Sequence, residues 1–567
     1  MPSKEEAFPK VVSIDIAEIT SLLSRVEAAV QPEDYERLRQ LVETLVELTR
    51  LVRKRGSTIT RLRQLFGLSG SEKASDVLKR ETARSAQAQQ DPTAGDEANP
   101  DPGEAVAGAA QPGVDPPTKP KKKGRGRIPS SSYLDAQCHS VAHEGVRPGE
   151  VCPECACGKI HPLKEPARIV RIVGQAPLVA HRWDLERLRC GACGAVFTAT
   201  APEEARGPKY TETAASMLAI LHYGLGMPFY RLAQLQRDLR TLLPASTQFD
   251  VVDNTAELVR APYDELVRRA AQGTLVHNDD TYMRLLEYMG KRRARLLEQG
   301  DLSDPDRTGL FTTGIVAITP EKHPIALFFT GRSHAGENLK TVLDQRAAGL
   351  PPPMHMSDAL ACNTAEGHSV FAGNCLAHGR RGVVGEIENF PQECRVVLEL
   401  LCEVFKHDTI AKDGKMSDDQ RLRFHQRKSG PVMGRLKKWI NTQFREHRIE
   451  PNCGFGGALK YIRKHWRKLT LFLRHAGAPL TNNVCERILK MAIIHRKNSY
   501  FYRSERGAMV GDIFMTLICT AKLHGENPFE YLTALQLHAK VVAANPGDWM
   551  PWNYRATLAA PEMSQAA

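Results

Sequence analysis

Thr274-Leu275-Val276-His277-Asn278-Asp279-Asp280-Thr281 is the stretch on which the fold turns. It reads as a strand that ends in two acids, Asp279 and Asp280. After a charged insertion, GLFTTGIVAIT (Gly309 to Thr319) and PIALFFTG (Pro324 to Gly331) read as two more strands. A helix is expected over Glu337 to Ala348, then a short strand in MHMSDAL that ends in Asp358. A further strand-like run, SVFAGNCLAH, spans Ser369 to His378. The order is therefore β-β-β-α-β-α-β, with acids closing the first and fourth strands. In a mixed sheet those two strands can lie side by side. Asp279 and Asp358 would then meet at one edge, although 78 residues stand between them.

A third acid is expected from a late helix. In TNNVCERILKMA, Thr481 to Asn483 form an N-cap region and Glu486 falls in the first turns. Three carboxylates make a hard oxygen site suited to Mg²⁺ or Mn²⁺. Two such ions about 3.5–4 Å apart activate a water or a 3′-hydroxyl against a phosphodiester. Surface acids are common, so carboxylates alone decide nothing. Their placement beside a basic region is what separates these three from chance.

That region runs from Arg421 to Arg506 and holds 21 Lys or Arg against four acids. Its surplus exceeds the net charge of the whole chain, +12, so the remainder is slightly acidic. A charge this concentrated favours a nucleic-acid partner over a merely solvated face. The chain has 567 residues, 42% apolar and 25% charged, which points to several globular domains and excludes collagen-like or wholly disordered classes. No apolar run is long enough for a transmembrane helix, and MPSKEEAFPK at the start has no secretory signature. A cytosolic protein associated with the nucleoid is expected.

Further motifs lie upstream. Leu38, Leu45, Val52, Ile59 and Phe66 recur every seven residues, with Leu41, Leu48 and Leu62 offset by three. This heptad pattern reads as a coiled coil that joins two protomers, or as a helix packed on its own body. A linker rich in Ala, Pro, Gly and Gln follows, ending in the basic run KPKKKGRGR, where Lys121, Lys122, Arg125 and Arg127 can follow a DNA backbone. Next come Cys152-Pro-Glu-Cys155 and, 34 residues later, Cys190-Gly-Ala-Cys193. Paired CxxC turns place four thiolates around one tetrahedral, structural Zn²⁺, as in a zinc ribbon. Cys157 is a possible substitute ligand, and Cys138 and His139 are weaker ones. From Tyr210 to Ala271 short helices broken at Gly224–Pro228 fit a helix-turn-helix or a plain helical connector. His378, Arg380 and Arg381 can hold a scissile phosphate, and Arg496, Lys497 and Asn498 can track a DNA backbone.

Taken in order along the chain, these segments resemble the transposases of the insertion-sequence-66 (IS66) family. The resemblance rests on the zipper followed by RLRQLFGLSGSEK, CPEC…CGAC, MPFYRLAQLQ, HNDDT, CLAHGRR, NNVCERILK, HRKNSYF and TAKLHGENPFEYL. It implies an RNase H-like core in which Asp279, Asp358 and Glu486 are the catalytic triad and bind Mg²⁺. The chain departs from the family pattern in three places: Asn278-Asp279-Asp280-Thr281 stands for Ala-Asp-Glu-Thr, Ala359-Leu360 follows the second Asp, and Thr481 replaces an Asp.

The expected organisation is multidomain α/β. A coiled coil at 14–78, a linker at 79–132, a zinc ribbon at 133–200 and a helical domain at 208–271 precede the core. The RNase H-like core spans 272–506 with a helical insertion at about 385–480, and a helical region at 507–567 closes the chain. The expected activity is DNA transposition: metal-dependent cleavage at terminal inverted repeats, then strand transfer into target DNA. Small accessory proteins of the same element are further expected partners. A decayed protein that only binds DNA and a structure-selective nuclease on the same fold are the alternatives.

Overall fold

The computed structural model describes residues 31, 33–36, 38–40, 145, 147–161, 163, 172, 175–190, 193, 195–302 and 304–560. Most of the heptad positions, the basic run that holds Lys121 to Arg127, and Cys138 lie outside the described residues. The chain forms two units, Pro92–Val179 and a larger one of Met1–Asp91 with Ala180–Ala567.

In the smaller unit the Cys152–Cys155 turn is closed by Cys152 N–H to the Gly158 carbonyl (2.7 Å) and Ala156 N–H to the Cys152 carbonyl (2.9 Å). An antiparallel bridge between Val151 and Lys159 holds its base.

The larger unit begins with a hairpin, β1 (Arg187–Arg189) and β2 (Val196–Thr198), that carries Cys190 and Cys193 in its connection. Four helices follow: α1 (Glu212–Ala219), α2 (Phe229–Asp238), α3 (Ala245–Leu258) and α4 (Arg260–Ala271). Thr211 caps α1 through its side chain, which accepts from Ala214 N–H. α3 and α4 are parted at Val259.

The centre is a five-stranded sheet of β3 (Leu275–Tyr282), β4 (Phe311–Ile318), β5 (Pro324–Gly331), β6 (Met354–Ser357) and β7 (Phe371–Asn374). Its spatial order is β5-β4-β3-β6-β7. The first three strands pair antiparallel, and β6 and β7 add in parallel on the other side of β3. α5 (Gly290–Gln299) sits in the charged insertion between β3 and β4. α6 (Ala335–Leu343) joins β5 to β6 and starts two residues before the expected helix because His334 and Glu337 form a capping box. No α-helix joins β6 to β7; the connection is one 3₁₀ turn at Ala361–Asn363. β7 is also shorter than the run Ser369 to His378, since Leu376 already starts the next helix, α7 (Leu376–Gly385).

The insertion is helical as expected, with α8 (Pro391–Asp413), α9 (Asp418–Arg445), α10 (Gly454–Lys464) and the short α11 (Trp466–Leu469). It buries a core of its own, built on Val397, Leu401, Val432, Leu436, Phe455 and Leu459. The chain then returns through α12 (Asn483–Ser499) to α13 (Glu505–Leu523) and α14 (Pro528–Leu537).

α13 protects the exposed edge of the sheet. Asp512, Thr516 and Thr520 lie one turn apart, and their side-chain oxygens accept from the N–H groups of Thr330, Phe328 and Ala326 at 2.6, 3.1 and 3.2 Å. These are alternate residues of the edge strand β5, whose N–H groups would otherwise be left without partners under the helix. The boundary expected at 506 thus falls inside a helix that belongs with the sheet. α1 and the turn after it pack behind this layer, with Tyr223 stacked on Phe514 at 5.4 Å and Gln536 donating to Ser216 at 2.7 Å. Among the described residues no helix is long and apolar enough to cross a membrane.

Candidate active site

The parallel pairing of β3 with β6 sets Leu275 against Met354, Val276 against His355 and His277 against Met356. Carried two residues further, the same offset brings Asp279 level with Asp358. Both acids are partly buried. Burial first, then the charge of Asp358 and those of Asp280 and Glu486, push the Asp279 carboxyl up to about 7.

A glycine lets the helix that bears Glu486 pack close to the same strands. Gly314 on β4 is the residue paired with Asp279. A Cβ there would stand 2.9 Å from Leu489 Cγ, and the Cys485 thiol donates to the Gly314 carbonyl at 3.2 Å. α12 therefore lies directly on the β3–β4 pair, with Glu486, next to Cys485, in its first turn, where its charge acts on Asp279. Arg381 of α7 donates to both Glu486 oxygens, at 3.2 and 3.0 Å, and His378 Nε2 is 3.7 Å from one of them. Burial, and then Arg381, hold His378 below its usual range. Cys375, His378 and Glu486 present ligand atoms within 4.8 Å of one another.

Beneath the carboxylates is a buried polar scaffold that sequence reasoning missed. Thr481 to Asn483 are the expected N-cap region of α12; Asn482 holds the N-cap position, but its side chain makes no cap hydrogen bond. It is fully buried instead: its amide donates to the Asn278 carbonyl (3.0 Å) and accepts from His277 Nδ1 (2.9 Å). Asn278 donates to the Asn363 carbonyl at 2.8 Å and accepts from His355 Nε2 at 2.7 Å. Burial drives both His277 and His355 down to about 4, so each stays neutral and has one N–H to give. Asn363 then donates to Asp358 Oδ1, which also receives Leu360 N–H at 3.0 Å, while Asn374 donates to the Asp358 carbonyl at 2.8 Å. Strand, turn and helix are thereby locked to one another under the three acids. The available signal was an asparagine within five residues of each acid: Asn278, Asn363 and Asn482.

Asp280 serves another purpose. It accepts from His334 Nδ1 (3.0 Å) and Ala335 N–H (3.3 Å), which fastens the start of α6 to β3.

The expected DNA contacts divide. Arg381 is exposed beside Glu486, and Arg380 is partly buried on the same helix. Arg496 donates to Thr281 Oγ1 at 2.9 Å and to the Tyr282 carbonyl, so it ties α12 to the end of β3. Asn498 donates to the Gly226 carbonyl at 3.1 Å, leaving exposed Lys497 as the member of this trio turned to solvent.

Cys152 and Cys155 share one turn, and Cys190 and Cys193 lie in the β1–β2 connection. Around Cys155 the N–H groups of Cys157 and Gly158, followed by the Cys152 side chain, pull the thiol below its ordinary range. Cys190 N–H donates to the Ala195 carbonyl at 2.9 Å and closes the second turn.

A model of the IS66 family of transposases matches residues 208–510, which include all three acids, the sheet and the insertion. Two proteins of Sinorhizobium fredii (strain NGR234), both described as uncharacterized, are similar over most of the chain. One, y4jD, is 24% identical over 71% of this chain and 78% of its own length. The other, y4hP, is 23% identical over 67% and 69%. No solved structure matches. By the span of that match, more than half of its length, the chain belongs to the IS66 transposase family.

Proposed function

We propose that this protein cuts DNA at the terminal inverted repeats of an insertion element and joins the freed ends to target DNA. Asp279, Asp358 and Glu486 would be its metal-binding carboxylates, in an RNase H-like core. One observation carries the reading: the β3–β6 register aligns Asp279 with Asp358 while Gly314 admits the helix that bears Glu486 to the same strands. The strand order, three antiparallel and then two parallel, supports the RNase H-like assignment.

The donor set fits Mg²⁺ or Mn²⁺. It is all oxygen, and the Asp279 carboxyl is raised by burial and then by the charge of Asp358, both of which a divalent cation offsets. When bound, such ions generate a nucleophile at neutral pH and stabilise the leaving oxygen. The chain supplies the rest. Asn363 and Leu360 N–H fix the Asp358 carboxylate on one oxygen. Arg381, already drawn to Glu486, offers a forked cation to the non-bridging oxygens of a phosphate. In the first step water attacks phosphorus and the 3′-oxygen of the element end leaves as a hydroxyl. In the second, that hydroxyl attacks a target phosphate and displaces a target 3′-oxygen, with no covalent protein–DNA link.

The zinc on the CxxC turns, pairing through the heptad segment and dependence on accessory proteins belong to the same proposal and rest on sequence. Retention of all three acids argues against a decayed, binding-only protein. The deciding experiment incubates a labelled duplex bearing the flanking inverted repeat with the protein, Mg²⁺ and a plasmid target. A free 3′-hydroxyl at the repeat followed by joined product supports transposition. Cuts without joining favour the nuclease, and a shifted but uncut duplex favours the binding-only reading.

A further inference from the structure

The helical insertion brings a second set of side chains to the mouth of the acid site. Lys468, exposed on α11, lines a cavity of about 200 Å³ together with Ser357, Asp358 and Asn374. Its ammonium has no ion pair or hydrogen bond among the described residues. Three other basic groups of the insertion are engaged: Arg421 pairs with Asp408, Arg435 with Glu403, and Arg463 lies over the Phe444 ring. One and two turns before Lys468, the rings of His465 and Tyr461 stand 4.8 Å apart. With Lys460 and Lys464 they line a neighbouring cavity of about 460 Å³. Tyr461 lies on α10, His465 at the junction of the two helices and Lys468 on α11, so the three form a stripe along the chain that crosses this junction. The Tyr461 ring packs against α7, the helix of His378 and Arg381: a Cβ at Gly379 would stand 3.7 Å from it.

We propose that Tyr461, His465 and Lys468 seat an unpaired stretch of DNA strand next to the acid site, Lys468 on a backbone phosphate and the two rings against a base. The inference rests on the transposase reading and adds the form of DNA that this face accepts. A phosphate approaching three carboxylates needs a cation not already committed, and Lys468 is such a cation at the cavity wall. Aromatic faces grip bases only where these are unstacked, which in a duplex they are not. The stripe therefore favours single-stranded DNA that flanks the cleaved bond over duplex.

The test measures binding of the full-length protein by fluorescence anisotropy, with Ca²⁺ replacing Mg²⁺. One probe is the blunt inverted-repeat duplex; the other carries a short unpaired extension past the cleavage position. The extended probe should bind about tenfold more tightly, in line with stacking of a base on an aromatic ring. Tyr461→Ala and, independently, the surface change Lys468→Gln should each remove that advantage and leave blunt-duplex binding as it was. Tyr461→Phe, which keeps the ring, should retain it. Equal affinity of the two probes for the wild-type protein overturns this inference alone, as does a full advantage in Lys468→Gln. Failure to bind either probe would overturn the transposase reading as well.

Discussion

Replacing Asp279 by Asn should make the metal-free protein more stable, by an amount that grows with pH. Burial, then Asp358, Asp280 and Glu486, raise its carboxyl from 3.8 to about 7. An acid whose folded value is raised favours folding while protonated. That contribution is complete below the unfolded value and is lost as pH climbs through about 7. Three units at about 1.36 kcal/mol each put the cost of the charged form on the order of 4 kcal/mol above that pH. Asn fills the same volume, keeps the oxygen that accepts Asp280 N–H at 2.9 Å, and carries no charge. Asp512, whose buried carboxyl is also raised to about 7, is common to both proteins and cancels in the comparison. Thermal melts in EDTA should show Asp279→Asn above wild type, with a gap that widens from pH 5 to pH 8. Added Mg²⁺ should then stabilise wild type more than the variant. A variant that melts at or below wild type at pH 8, or a gap that ignores pH, would refute the crowding of acids described here.

Other predictions probe other parts of the molecule. Gly314→Val places methyl groups where Leu489 stands, costing about 1–3 kcal/mol in overpacking and pushing Glu486 out of line. A shift of about 1 Å should lower cleavage by about 100-fold while repeat binding persists, and undiminished cleavage would sink this account of Gly314. Cys152→Ser with Cys155→Ser should abolish a chelator-resistant zinc content of about one equivalent per chain, the stoichiometry of a four-thiolate site; zinc retained by that variant would mean other ligands hold it. Deleting residues 1–75 should halve the mass seen by light scattering if the heptads pair two protomers. An unchanged mass would assign them to packing within one chain.

Much of the core could be read from local pattern. The apolar runs of β3, β4 and β5 are long enough to show as strands, and acids at the ends of the first and fourth strands suggested their adjacency. What local pattern hides is the partner of a buried polar group. Asn482 looks like a helix cap because Asn is favoured there, yet it is spent on His277 and Asn278, far away in sequence. Arg496 and Asn498 looked like surface DNA contacts and instead bind the end of β3 and the Gly226 carbonyl. Cys375 to His378 continued an apolar run and were read as strand, but Leu376 is already helical. Gly314 was passed over because a glycine within a strand signals close approach without naming the element that approaches.

The central claim is that Asp279, Asp358 and Glu486 act as one metal-dependent site. The most direct test compares Mg²⁺-dependent cleavage of the inverted-repeat duplex by wild type, Asp279→Asn, Asp358→Asn and Glu486→Gln, with duplex binding measured alongside. Wild type should leave a free 3′-hydroxyl at the repeat, and each variant should bind the duplex but leave it uncut. Cleavage at the wild-type rate by any one of the three variants would remove that residue from the site and contradict the account.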